Sequence, residues 1–147
     1  MHKKKVFSIV ALVLIIAGLL IFFHGTREIK SVVVGGKTFS VEVARTDMER
    51  ERGLSLHVPL QNNQGMLFIF QKEDLYGFWM KDMLFPIDIV WIDQNLRIIH
   101  IERAIVPETY PKIFKAGAKS LYVLEIPAGQ SDIIKIKTGD TVKFIKN

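Results

Sequence analysis

Cysteine is absent from this chain of 147 residues. Its absence excludes disulfide bonds, thiol chemistry and a lipid anchor attached through an N-terminal cysteine. The same absence does not identify the cellular compartment, because proteins without cysteine occur on both sides of a membrane.

Histidine is also scarce, and the usual catalytic motifs are missing. His24, His57 and His100 are widely spaced, with no His-x-x-x-His pair and no carboxylate-rich loop that would bind a metal ion. The chain has no Gly-x-Ser-x-Gly motif for a serine nucleophile and no glycine-rich phosphate loop. The sequence therefore predicts no metal site and no cofactor.

The excess of positive charge is small once the N-terminus is set aside. The chain has 20 basic and 15 acidic residues, and three of the basic ones are the lysines at positions 3–5. The rest of the chain then carries 17 basic against 15 acidic residues. Its lysines are scattered, apart from a group near the C-terminus that fits a solvated sheet edge or a surface facing anionic lipid. We expect no nucleic-acid partner.

One long hydrophobic run precedes the rest of the chain. Residues 6–23 carry no charge and would span about 27 Å as a helix, close to the thickness of a bilayer core. The preceding lysines predict a cytoplasmic N-terminus. We expect a basic segment at 1–5, a signal-anchor at 6–23, a tether at 24–31 and an extracytoplasmic domain at 32–147 in the cell membrane. A cleaved signal peptide is the alternative, although such peptides have a shorter apolar region and a small-x-small site.

Short apolar segments separated by turn residues predict that the domain is mainly β. Residues 32–34 and 37–44 flank Gly35-Gly36, which is typical of a hairpin. Thr46 and Glu49 form a capping box for a short helix ending near Gly53. The other predicted strands are residues 66–70, 76–81, 87–93, 97–103, 120–127 and 140–145, with a helical turn at 131–134. We expect a compact barrel-like or sandwich β domain with one or two short helices, preceded by a single transmembrane helix.

Five sequence blocks carry a resemblance to a known family. They are RGL at 52–54, GMLFIF at 65–70, FWMKDMLFPIDIVWID at 78–93, VLEIPAG at 123–129 and GD at 139–140. Their order and spacing resemble the "domain of unknown function 192" family over roughly residues 38–145. The resemblance implies a small β-rich, barrel-like domain, often secreted or membrane-tethered, and brings no established reaction or ligand. This chain departs from the family at Asp82-Met83, where the family usually has Asn-Thr, and at Asn95, where glycine is common.

Two acidic residues lie on strands that are otherwise apolar. Asp88 shares a strand side with Val90 and Ile92, and Glu125 shares one with Val123. A buried carboxylate must be paired, hydrogen-bonded or protonated. For Asp88 we prefer a structural role, satisfied by backbone N–H groups or by Arg52, over a role lining a pocket. For Glu125 we likewise expect pairing with a basic residue, with Arg52 and Lys81 as the candidates.

The segment FWMKDM suggests the mouth of a cleft. Its ligand-binding candidates are Trp79, Met80, Lys81 and Asp82. Arg52 and the two acids, Asp88 and Glu125, are the candidates from elsewhere in the chain. We expect a binding or accessory module at the cell envelope for a small ligand, a glycan or a polypeptide. One alternative is a hydrolase or lyase with Asp88 and Glu125 as acid and base, which would lie about 5–10 Å apart in one cleft. The other alternative is a purely structural protein of envelope assembly.

Overall fold

A computed structural model describes residues 28–146 of the chain. This part is mainly β, as predicted, and contains two short α-helices. The predicted cytoplasmic segment and signal-anchor lie outside the described residues. No helix among residues 28–146 has the length and apolar character needed to cross a membrane.

Seven strands form the main sheet, and two very short strands form a second one. The strands are β1 (Ile29–Val34), β2 (Lys37–Ala44), β3 (Gln64–Asp74), β4 (Gly77–Phe78), β5 (Ile87–Ile92), β6 (Ile98–Ile105), β7 (Phe114–Lys115), β8 (Ser120–Pro127) and β9 (Lys143–Lys146). The helices are α1 (Asp47–Arg52) and α2 (Gln130–Ile133), with a 3-10 helix at Pro107–Thr109. The main sheet has the order β6-β5-β8-β3-β2-β1-β9, and β4 pairs with β7.

The main sheet curls, but continuous strand pairing does not close it into a barrel. The prediction of a β-rich domain with short helices is therefore confirmed, whereas the barrel-like closure is not. One apolar cluster gathers Ile29 and Val32 of β1 with Val90 of β5 and Ile98 of β6. The two edges of the sheet meet, because the Val142 N–H before β9 donates to the Leu96 carbonyl before β6 at 2.8 Å, and the sheet therefore curls around the cluster. A single bridge between Arg97 and Thr141 joins the chain just before β6 and β9.

A second apolar cluster lies on the other face of the sheet. It includes Met66, Ile89, Trp91 and Val123 from the strands, together with Leu54 from the segment after α1. Side chains alternate between the two faces of a strand, so neighbouring residues of β5 and β8 belong to different clusters. The segments that cover this second face form the candidate site described below.

The predicted strand at residues 76–81 is mostly wrong. Only Gly77–Phe78 is a strand, and it pairs with β7 outside the main sheet. The chain then turns, with the Met83 N–H donating to the Met80 carbonyl and Asp82 at a φ of 56°. Apolar alternation suggested a strand, but the two methionines are buried as part of a turn that covers the sheet.

Helix α1 is confirmed with its capping box. The Thr46 side chain accepts a hydrogen bond from the Glu49 N–H, and the Glu49 carboxylate accepts one from the Thr46 N–H. Gly53 ends the helix at a φ of 48°, where a residue with a Cβ is strained. This turn directs the chain from α1 across the second apolar cluster to Leu54.

Candidate functional site

Asp88 is completely buried on the central strand β5, and its carboxylate is saturated by the backbone. It accepts hydrogen bonds from the N–H groups of Ala104 at 2.8 Å, Gly129 at 3.1 Å and Ser131 at 2.9 Å. Ala104 lies where the β5–β6 register shifts, and Gly129 and Ser131 begin α2. Asp88 therefore joins three parts of the fold, and the expectation that it lines a ligand-binding pocket lacks support from its position.

Asp88 and Glu125 lie on opposite faces of the main sheet. In the β5–β8 register, Ile89 pairs with Glu125 and Asp88 pairs with Ile126. Directly paired residues share a face and adjacent residues alternate, so the two carboxyl groups point away from each other. The strand register therefore argues against the alternative in which these two residues form an acid–base pair in one cleft.

Glu125 is buried among apolar neighbours. Its cross-strand partners are Met66 on β3 and Ile89 on β5, and only 4% of its surface is exposed. Among residues 28–146, its Oε2 atom has no hydrogen-bond partner. Burial raises the pKa of the Glu125 carboxyl to about 8, because the apolar surroundings disfavour its charged form. Below that pH the group is a neutral acid, with one hydrogen-bond donor and one free acceptor.

An open cleft of about 250 Å³ leads to Glu125. Residues from α1, the following turn, β3 and the chain around β4 line it: Arg50, Glu51, Arg52, Gly53, Leu54, Ser55, Phe68, Phe70, Tyr76, Gly77, Phe78, Trp79 and Met83, in addition to Glu125. Phe68 is buried, whereas Trp79 is 45% exposed. The buried residues therefore form the inner end of the cleft, and Trp79 lies at its rim.

Aromatic rings form much of the cleft wall and hold one another in place. Phe68 and Phe78 make an edge-to-face contact with ring centroids 4.9 Å apart, and Phe78 makes another with the buried Trp91 at 5.9 Å. Phe70 and Tyr76 are stacked. Such contacts stabilise ring positions beyond the effect of buried area alone, so the wall is largely preformed.

The two arginines at the cleft differ in how they are engaged. Arg50 pairs with Asp47, donates to the Ile69 carbonyl at 2.9 Å and lies 5.1 Å from the Phe70 ring centroid. Arg52 is exposed and forms no ion pair or side-chain hydrogen bond within the described part of the chain. Arg52 is thus a cation at the rim that is available to a ligand.

The cleft lacks the elements of a serine-type catalytic centre. Ser55 lines it, but its hydroxyl donates to the main-chain carbonyl of Lys81 at 2.9 Å rather than to a base. Within residues 28–146, no group of three or more His, Asp or Glu side chains is arranged to hold a metal ion. The arrangement is chemically suited to noncovalent binding of a ring-shaped or apolar molecule that carries one polar group.

The structure brings together three of the seven predicted ligand-binding residues. Arg52, Trp79 and Glu125 line the cleft. Met80 is buried beside it as part of the second apolar cluster. Lys81 and Asp82 are exposed and do not line the cleft, because the turn directs them to solvent. The positive φ of Asp82 accounts for its short polar side chain, since Asp and Asn tolerate that conformation best.

Sequence reasoning missed most of the cleft wall. Phe68, Phe70, Tyr76 and Phe78 all lie within the aromatic-rich stretch, but alternation assigned them only to strands. The density of aromatic residues was the available signal. Arg50 was also missed, although its position two residues before Arg52 places it on the same short helix.

Comparisons with known proteins agree with the fold. A family model described as DUF192, Uncharacterized ACR, matches residues 30–144. A UPF0127 protein of Thermococcus sibiricus is 31% identical over 109 residues, covering 73% of this chain and 67% of the relative. A UPF0127 protein of Pyrococcus abyssi is 30% identical over 124 residues, covering 81% of this chain and 95% of the relative.

Two solved structures resemble this chain. A protein of unknown function from Novosphingobium aromaticivorans has a TM-score of 0.75 at 31% identity, covering 82% of this chain and 89% of that chain. A putative transcription regulator of Sinorhizobium meliloti has a TM-score of 0.71 at 28% identity, covering 78% of this chain and 90% of that chain.

Proposed function

The chain belongs to the DUF192 family, and from that starting point we propose that its β domain is a binding module that holds a small ligand over Glu125. The ligand occupies the aromatic cleft, contacts Trp79 at the rim and directs a polar group to the inner carboxyl. Arg52 supplies a positive charge at the entrance for any anionic part of the ligand.

A single observation carries this proposal: the buried Glu125 carboxyl faces an open cleft, and its Oε2 atom has no hydrogen-bond partner in the part of the chain that the structure describes. Burying an unsatisfied polar group costs about 1–3 kcal/mol on mutational scales. A ligand that hydrogen-bonds to Glu125 recovers part of this free energy. Asp88 provides the contrast, because three backbone N–H groups leave it nothing to gain from a ligand.

The size of the cleft favours a small molecule or a single unit of a larger one. About 250 Å³ lies just below the range of roughly 300–1,000 Å³ that is typical of ligand pockets. One sugar ring, one amino-acid side chain or a compact metabolite fits this volume. The proposed partners therefore remain a small ligand, a glycan or a polypeptide, with only one group of the latter two entering the cleft.

The two alternative functions have weaker support. A hydrolase or lyase that uses Asp88 with Glu125 requires both carboxyl groups in one cleft, whereas the register separates them across the sheet. A purely structural envelope protein would have no open cleft and would pair its buried charges. The domain instead has an open cleft, and the buried Glu125 Oε2 at its inner end has no partner among residues 28–146.

We also propose that the domain is held at the outer face of the cell membrane by residues 6–23. The support is the uncharged apolar run and the three preceding lysines. A single-pass protein would remain in the membrane fraction after a carbonate wash, and its C-terminal domain would be accessible to protease from outside. Release into the soluble exported fraction would contradict anchoring and favour a cleaved signal.

The binding proposal is tested on the full-length chain in mild detergent with panels of metabolites, glycans and peptides. At a ligand concentration of 100 times Kd, binding stabilises the folded state by about 2.7 kcal/mol and raises Tm by roughly 10 °C. The same compound should quench the fluorescence of the partly exposed Trp79 and lose affinity in the Glu125→Leu variant. The exposed Glu108→Gln variant is the control. Failure of every panel to change Tm or fluorescence would remove the basis of the proposal.

A further inference from the structure

We propose that the ligand presents an amide group to Glu125, whose neutral carboxyl donates a hydrogen bond to the amide carbonyl oxygen while the aromatic walls enclose the adjacent part of the ligand. This inference rests on the proposed binding function and specifies the chemical class of the ligand. It is drawn from the position of Glu125 at the inner end of the cleft, between Met66 and Ile89, with one oxygen unpartnered.

The surroundings of Glu125 keep its proton in place. Its flanking cross-strand neighbours are apolar, and the charges that line the cleft are Arg50, Glu51 and Arg52. Arg50 is engaged by Asp47 and by a main-chain carbonyl, and the other two are exposed to solvent.

The remaining titratable groups that face Glu125 do not pair with it either. Tyr76 lines the cleft and donates its hydroxyl to the Lys72 carbonyl at 2.7 Å. On β6, Glu102 lies across β5 on the same sheet face as Glu125, and His100 contacts Glu102 at 3.1 Å. On β2, Glu42 lies across β3 on this face, and His57 pairs with Glu42 at 3.6 Å. No cation therefore compensates a charge on Glu125 among residues 28–146, and burial raises its pKa to about 8.

A neutral carboxyl and an amide are complementary in their hydrogen bonding. The acid offers an O–H donor and a carbonyl acceptor, and the amide offers a carbonyl acceptor and an N–H donor. Neither group brings a charge into the apolar inner end, so the match avoids the cost of burying one. The flat amide can also pack against the aromatic wall of the cleft, which includes Phe68 and Phe78.

Charged head groups suit this site less well. An ammonium group forms an ion pair only with the deprotonated carboxylate, so Glu125 would first have to lose its proton to solvent. A carboxylate would lose its hydration at the inner end of the cleft, and Arg52 lies at the rim, too far out to compensate the buried charge. These two classes are the competing outcomes of the test.

Three probes with the same ring and different head groups separate the classes: benzamide, benzylamine and benzoate. We would titrate each into the full-length chain in detergent and follow the backbone resonances of cleft residues such as Gly53 and Gly77. At pH 7, benzamide should bind about tenfold more tightly than the other two probes, which is the size of one net hydrogen bond. Its affinity should fall by up to about tenfold between pH 7 and pH 9, as Glu125 loses its proton.

Two variants make the result specific to Glu125. Glu125→Gln keeps a donor and an acceptor, so it should retain the preference for benzamide and lose the decrease at high pH. Glu125→Leu removes both groups, so benzamide should bind within about twofold of the other probes. The exposed Glu108→Gln variant lies outside the cleft and is the control, which should bind the three probes as the wild type does.

The outcomes distinguish this inference from the function on which it rests. Preference for benzylamine, lost in Glu125→Gln, would overturn the amide assignment in favour of an ammonium ligand. Equal binding of all three probes would also overturn it, while the ring-binding cleft would stand. If no probe shifted any cleft resonance, the amide assignment and the aromatic binding cleft would both be refuted.

Discussion

Replacing Glu125 with leucine should stabilise the domain, and the gain should grow with pH. The folded state binds the Glu125 proton more tightly than the unfolded state, because its pKa rises from 4.5 to about 8 on burial. The stability that this proton confers is fully present below pH 4.5 and is lost as pH rises through about 8. Leucine has a similar size, carries no titratable group and suits the apolar neighbours of this position.

The size of the effect follows from the shift. A shift of one pKa unit corresponds to about 1.4 kcal/mol, so the full window from 4.5 to about 8 is worth on the order of 5 kcal/mol. About 1 kcal/mol of this is lost at pH 5, about 3 kcal/mol at pH 7 and about 5 kcal/mol at pH 9. The difference in unfolding free energy between variant and wild type should therefore increase by about 4 kcal/mol from pH 5 to pH 9.

Urea unfolding of both proteins at pH 5, 7 and 9 measures this difference. Subtracting wild type from variant removes the titration of all groups that the two proteins share. The exposed Glu108→Leu variant should show a difference that is nearly constant with pH. A gap for Glu125→Leu that stayed constant within about 0.5 kcal/mol would refute the reasoning that Glu125 is a buried, uncompensated acid.

Two further substitutions test the framework that positions the cleft. Asp88→Ala leaves three backbone N–H groups without their acceptor, so urea unfolding should show a loss of about 3–5 kcal/mol; the exposed Asp132→Ala should lose under about 1 kcal/mol. A loss below 1 kcal/mol for Asp88→Ala would contradict its structural role. Gly65→Ala places a Cβ 2.7 Å from the Glu125 carbonyl oxygen and should cost about 1–3 kcal/mol by forcing β3 and β8 apart. Thermal unfolding should show a larger loss for Gly65→Ala than for Gly36→Ala, where only a positive φ is strained; equal losses would argue against the close contact.

The sequence predicted those parts of the fold that depend on local interactions. Gly35-Gly36 between two apolar runs identified the β1–β2 hairpin, because few other residues adopt two successive positive φ values. Thr46 and Glu49 identified the start of α1 through their reciprocal hydrogen bonds. Uninterrupted apolar character around Asp88 identified β5 as a central strand, and all six of its residues are buried.

The pairing of distant strands was beyond local reasoning. β8 lies between β3 and β5, although more than twenty residues separate it from either in the chain. Alternation placed Glu125 on one side of β8 correctly, but the identity of the strands beside it depends on long-range contacts. The cleft is harder still, since its wall combines α1 with the turn after β4, and no local pattern specifies how such segments cover a sheet.

The two buried acids show why burial alone does not identify a functional residue. Asp88 and Glu125 lie on neighbouring strands, and both are almost fully removed from solvent. The fold supplies Asp88 with three donors, one at a strand irregularity and two at the start of α2, so its oxygens are hydrogen-bonded by the protein itself. Glu125 receives no such donors within the described residues, and the fold leaves an open path to it. An uncompensated group beside an open cleft is where a ligand gains the most free energy from a single hydrogen bond, and for that reason we propose that Glu125 rather than Asp88 marks a binding site.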